Sequence, residues 1–295
     1  MRILFTSINP VWLAVSGAVG MATMGVMSRL SGVGAEIITF YRLAVAAWLV
    51  GVLLIVLKQW NGCRPHLLTL ISGILLAGFI VFYVRAMDHT TMANAVLMVY
   101  LAPPVAALAG HFIWREYLNI WQCLCIAGAL FGFSMIMEFR LILTDREMKG
   151  LFFAVLALLC YATFILCNRH HRETLPPLQV IFWQLLMGAL VMLFVTGLKP
   201  LYIKSSAIPW MLLTGLIPGF LALTFTVIAI QKMSTAEFGT WAYTEPVAVI
   251  VFGWLLFDES MTLLQLSGCA VIIMAGISQT LIVRFSGFNE TDNIL

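Results

Sequence analysis

Ten apolar runs follow one another along this 295-residue chain. Each is close to the roughly 20 residues that a helix needs to cross a hydrocarbon core about 30 Å thick. Their limits are 11–28, 35–57, 67–87, 91–113, 118–137, 150–168, 177–197, 208–231, 234–257 and 262–283. A chain built this way is an all-α integral membrane protein. Composition agrees: 62% of residues are hydrophobic, 10% are charged and the mean hydropathy is +1.02, where soluble domains carry about 25% charged residues. The links between runs are short, so there is no room for a soluble catalytic domain, and function must lie inside the bundle or at its mouths. Arg2 and the apolar stretch after it resemble a secretory leader. With no small-residue cleavage site and further spans behind it, that stretch is read as the first retained helix.

The net charge is +3 and the basic residues stand singly or in pairs. Nucleic-acid binding needs a clustered basic face, so no such partner is expected. Cys123, Cys125, Cys160, Cys167 and Cys269 fall in apolar runs and Cys63 in a polar link. They match neither a disulfide framework nor a zinc site and read as small apolar fillers.

The chain repeats itself. An offset of 143 sets Ala86, Ala93, Tyr100, Pro103, Gly110, Glu116 and Gln122 on Ala229, Ala236, Tyr243, Pro246, Gly253, Glu259 and Gln265. An offset of 140 sets Ala14, Val15, Ala22, Thr23 and Arg29 on Ala154, Val155, Ala162, Thr163 and Arg169. The expected organisation is two five-helix repeats, residues 1–145 and 146–295. Five is odd, so the second copy starts on the opposite side of the membrane and the halves are inverted. That plan recurs in secondary transporters, with the substrate site near the midplane where the halves meet. The basic residues divide almost evenly between the two faces. On the positive-inside rule the termini are placed in the cytoplasm of a bacterial-type inner membrane.

Two pairs of stretches carry a family resemblance. "VYLAPPVAALAGHFIWRE" followed by "WQCLCIAGALFGFSMIM" is echoed by "AYTEPVAVIVFGWLLFDES" followed by "LQLSGCAVIIMAGIS". The pattern resembles the paired EamA modules of the drug/metabolite transporter superfamily over essentially the whole chain. The resemblance implies ten helices, inverted halves, a central cavity, no nucleotide-binding domain and, in many members, export of amino acids or other small metabolites. Two positions depart from it: Cys125 stands opposite Gly268 of the second copy, and Arg85 adds a charge where the family is usually neutral.

Glu245 is the acidic side chain placed deepest in a span, next to Pro246. A buried carboxylate is costly unless paired or protonated. It is read either as a cavity group that meets a substrate cation or takes up a proton, or as a structural partner for a basic residue or freed backbone. Pro103, Pro104 and Pro246 interrupt equivalent helices of the two halves, and matched interruptions point to a transporter's site, with a passive kink as the plainer reading. Helical spacing puts Phe238, Trp241, Glu245, Ala248 and Phe252 on one stripe, with Tyr243 about 200° from Glu245. In the fourth span Tyr100 is the cavity candidate, and His111 belongs nearer the interface. Arg42 lies about 10 Å deep at 1.5 Å per residue, where it can hold a substrate carboxylate, pair with Glu245 or snorkel to the headgroups. Its counterpart is about Gln184, beside Trp183. The expected substrate-binding set is therefore Glu245, Trp241, Tyr243, Tyr100, Arg42, Trp183 and Gln184.

Other features have plainer readings. Arg85 and Asp88 read as an exposed ion pair, and Asn94, Asn168 and Gln231 as interhelical hydrogen-bonders. Gly128 with Gly132, and Gly215 with Gly219, form GxxxG pairs suited to close packing or to a homodimer contact. The chain lacks G-x-S-x-G, H-E-x-x-H, a Walker lysine loop and paired carboxylates on one helix face. His170-His171 stands without further ligands nearby, so neither metal nor cofactor is expected. The expectation is a secondary active exporter of a small polar metabolite, an amino acid or related zwitterion, working by alternating access. Proton coupling stays open. An exporter of organic cations, drugs or nucleotide-linked metabolites is the rival reading, and a membrane enzyme or receptor a remote one.

Overall fold

A computed structural model describes residues 9–60, 64–115, 118–139, 148–171, 175–197 and 202–292, with 92–93 and 284–292 as backbone only. Arg2, Cys63, Glu116 and the expected division at 145/146 lie outside the described residues. The helices are α1 (Pro10–Ser31), α2 (Ala35–Val56), α3 (Leu67–His89), α4 (Met92–Val99), α5 (Ala102–Trp114), α6 (Ile120–Ile136), α7 (Met148–His170), α8 (Pro177–Thr196), α9 (Ile208–Thr214), α10 (Leu223–Lys232), α11 (Thr235–Ala242), α12 (Thr244–Phe257) and α13 (Leu263–Asp292). Among the described residues there is no strand. Among the described residues, nine helical segments are long and apolar enough to span a bilayer, and Ile120–Ile136 is a shorter tenth. With ten crossings, α1 begins and α13 ends on one face, here called the near face.

The repeat is visible in how helices start and stop. Thr91 and Ser234, 143 apart, cap α4 and α11 by accepting from the amides of Asn94 and Glu237. Asn119 and Thr262, also 143 apart, form reciprocal capping boxes with Gln122 and Gln265. Arg115 and Asp258 end α5 and α12 in the left-handed region, at φ 53° and 51°. Such a φ is uncommon for residues with a Cβ, so its recurrence at the repeat offset marks one unit used twice.

Packing follows an inverted twofold. α2 lies on α8 and α6 on α13, each against its own counterpart, α5 of the fourth span lies on α11 of the ninth, and α3 on α7 is matched by α1 on the eighth span. Both GxxxG pairs are used inside the chain. A Cβ on Gly132 would stand 2.8 Å from the Gly268 carbonyl, and one on Gly219 would stand 3.2 Å from Cγ of Arg42. Gly132→Val therefore forces α6 and α13 apart. It is expected to cost about 1–3 kcal/mol, read as a lower melting temperature of the detergent-solubilised protein.

The fourth and ninth spans break as their prolines predict, at Tyr100–Leu101 and at Tyr243. The eighth span holds a feature that spacing did not reveal. Between α9 and α10, residues Gly215–Ala222 form a π-helix around Pro218. A wider turn accommodates a ring that cannot donate to the ladder.

Candidate functional site

A cavity of about 380 Å³ lies where the halves meet. It is lined at its mouth by Gly25 and Ser28 of α1, Ala35 of α2, and Val84 and Met87 of α3, so it opens on the far face. At the near face it is closed by Leu13, Ala102, Ala106, Leu158, Ile165 and Ile228, which belong to one buried apolar cluster.

Glu245 enters the cavity from the first turn of α12, half-buried, and Tyr100 lines the same space. Arg42 enters from α2, 9% exposed. It faces the cavity rather than snorkelling to the lipid headgroups, because Gly219 of the π-helical segment makes room for its stem. The guanidinium and carboxylate attract across the space without forming an ion pair, and the Nε of Arg42 has no hydrogen-bond partner. Two opposite charges thus line one cavity without pairing with each other. Tyr83 and Tyr161 lie within electrostatic reach of the same carboxylate.

Pro103 lines the cavity, while Pro104 and the buried Pro246 stand outside the lining. Pro104 has an indirect effect. Having no N–H, it leaves the carbonyl of Tyr100 without its helical donor, and the Tyr243 hydroxyl donates to that oxygen at 2.6 Å. Tyr243 is fully buried, behind Tyr100 and outside the cavity. Tyr243→Phe leaves the carbonyl unpartnered and is expected to cost about 1–3 kcal/mol, measured as a drop in melting temperature.

The remaining expected residues are placed elsewhere. Trp241 turns to α13, where its Nε1 donates to Thr280 at 2.9 Å and its ring covers Gly276. Gln184 donates to Ser72 at 2.7 Å and to Asn168 at 2.9 Å in a buried network, and Trp183 packs on Phe182 outside the lining. Inversion is the physical reason: counterparts sit at opposite depths. Arg42 is near the open face, so its counterpart is near the closed one.

Spacing read along the fourth and ninth spans missed Phe79, Tyr83, Tyr161 and Phe164, all in the lining. Tyrosines far from span ends in the third and sixth spans were the available signal. Arg85 and Asp88 pair at 4.0 Å, both exposed, as expected. His171, just past α7, is buried with its Nε2 3.0 Å from the Thr69 hydroxyl. Burial, with His66 and His170 beside it, pushes its pKa down to about 4, and no metal-holding group of His, Cys, Asp and Glu occurs among the described residues.

A duplicated, inverted helical bundle with a half-open cavity at its midplane is the frame of a membrane carrier. The EamA-like transporter family matches this chain twice, over residues 8–138 and 148–281, and the chain belongs to that family. The threonine/homoserine exporter RhtA of Escherichia coli (strain K12) is 25% identical over 288 residues, covering 93% of this chain and 94% of that protein. An uncharacterized transporter of Archaeoglobus fulgidus is 25% identical, covering 88% and 92%. The uncharacterized transporter YxxF of Bacillus subtilis is 26% identical, covering 79% and 75%. One solved crystal structure with 17% identity superposes with a TM-score of 0.84 over 93% of this chain and 98% of that one, which shows the shared fold.

Proposed function

We propose that this protein is a secondary active exporter of a small zwitterion, an amino acid or close relative, working by alternating access. The observation that carries this is the unpaired opposition of Arg42 and Glu245 across one cavity between the halves. A carboxylate and an ammonium on one small molecule satisfy both charges at once, whereas an anion or a cation alone leaves one protein charge unpaired. The cavity's volume suits a single metabolite, being near the lower end of the roughly 300–1,000 Å³ of ligand sites.

Repeat symmetry supports the alternation. The near-face seal joins Leu13, Ile230, Phe238 and Trp241. The offsets of 140 and 143 carry these onto Phe153, Met87, Ala95 and Met98, which form a smaller cluster beside the open mouth. Closing the far mouth then takes α1 and α12 onto that cluster. In this scheme residues 1–145 and 146–295 are the two moving halves. The protein sits in the inner membrane with cytoplasmic termini, and the described state faces outward.

Counterflow tests the reading. The protein is reconstituted in liposomes and labelled amino acids and organic cations are offered, with and without a pH gradient. Exchange of at least one amino acid is expected, and a rate that follows the gradient would add proton coupling. Exchange of organic cations with no amino acid would overturn the zwitterion reading.

A further inference from the structure

Four rings in the cavity lining stand in a row. Tyr83 stacks on Phe79 with centroids 6.1 Å and planes 27° apart, Phe79 on Tyr161 at 4.9 Å and 21°, and Tyr161 on Phe164 at 6.4 Å and 21°. Two rings come from α3 and two from α7, the pair of helices that pack together across the halves. Residues four or three apart share a helix face, so each helix contributes one half of the wall. Tyr83 is nearer the far face and Phe164 nearer the sealed one. The row therefore runs down the cavity past Glu245.

Polar groups are unevenly spread in this space. The hydroxyl-bearing rings Tyr83, Tyr100 and Tyr161 line the cavity within electrostatic reach of the Glu245 carboxylate. Below them the lining is Leu76, Phe164, Leu223 and Phe238, with Thr226 the polar side chain at that level. A hydroxylated substrate side chain entering this floor gives up water for few partners, which is unfavourable. A large apolar one exchanges water for close contact. Rings already stacked on neighbours also have less face to offer, and their edges carry the positive end of the quadrupole. Such edges suit the face of another aromatic ring better than a cation, which needs an open ring face.

We propose that the row Tyr83, Phe79, Tyr161 and Phe164 is the side-chain subsite, and that the transported zwitterion carries a large apolar side chain, above all an aromatic one. The inference rests on the amino-acid reading and sharpens it. It also separates this chain from the relatives named for threonine and homoserine, whose side chains are small and hydroxylated.

The test uses the intact protein in liposomes and compares counterflow of labelled phenylalanine, leucine, threonine and tetraphenylphosphonium. Phenylalanine and leucine are expected to exchange with kcat/KM at least about tenfold above threonine, the discrimination that a few buried methylenes supply. Phe79→Leu keeps the wall apolar but removes a ring. It is expected to raise KM for phenylalanine about fivefold while leaving leucine nearly unchanged. Should the variant fail to accumulate, the substrate comparison on the unaltered protein decides alone. Threonine exchanged as fast as phenylalanine, or Phe79→Leu impairing both apolar substrates equally, overturns the subsite and leaves the amino-acid reading standing. Exchange of tetraphenylphosphonium without any amino acid overturns both.

Discussion

Glu245→Gln and Arg42→Ala are each expected to lower amino-acid counterflow about a hundredfold. Truncating one member of a buried charge arrangement costs about 2–5 kcal/mol, much of it from the partner charge left behind, and about 1.4 kcal/mol is a factor of ten in rate. Neither side chain is held in an ion pair in the described state, so the loss falls on substrate binding more than on folding. Arg42→Lys restores the charge without the flat fork and is expected to recover only part of the activity. Initial counterflow rates are compared at equal amounts of protein that elutes as a single species in detergent. If both variants, properly folded, exchange at the parental rate, the charge scheme is wrong.

A disulfide across the far mouth is expected to stop transport completely and reversibly. Ile165 and Ile230 belong to the near-face seal, and the repeat offsets carry them to Gly25 on α1 and Met87 on α3, which both line the open mouth. If the far mouth closes as the near one is closed, these two positions approach. Gly25→Cys with Met87→Cys should then cross-link under mild oxidation, more readily with substrate present, and reduction should restore exchange. Each single cysteine variant is the control. Exchange that continues in fully cross-linked protein would refute closure between α1 and α3.

Much of this architecture was legible residue by residue. The ten spans follow from the length of the apolar runs, and the inverted halves from the offset of 143 together with an odd helix count. The matched breaks at Tyr100 and Tyr243 follow from Pro103, Pro104 and Pro246, because a proline acts on its own helix and needs no tertiary partner. Glu245 stood out for the same local reason, being a carboxylate deep in a span. The π-helical segment around Pro218 was not separable from a simple kink, since the width of a turn depends on what packs against it.

The partners of each side chain were decided elsewhere. Gln184 and Arg42 look equivalent by spacing, yet one lies in a buried network and the other in an open cavity. Tyr243 looked like a cavity residue and instead holds the carbonyl of Tyr100. The aromatic wall needs α3 and α7, from different halves, side by side. The number of membrane crossings, the repeat and the helix breaks could be read from the residues alone, because periodicity, length and proline act within one helix. Which face is sealed and which residues meet in the cavity is set by the packing of the helices. That depends on how two inverted copies lean against each other, and a small tilt of one half exchanges buried for open at every pair of equivalent positions.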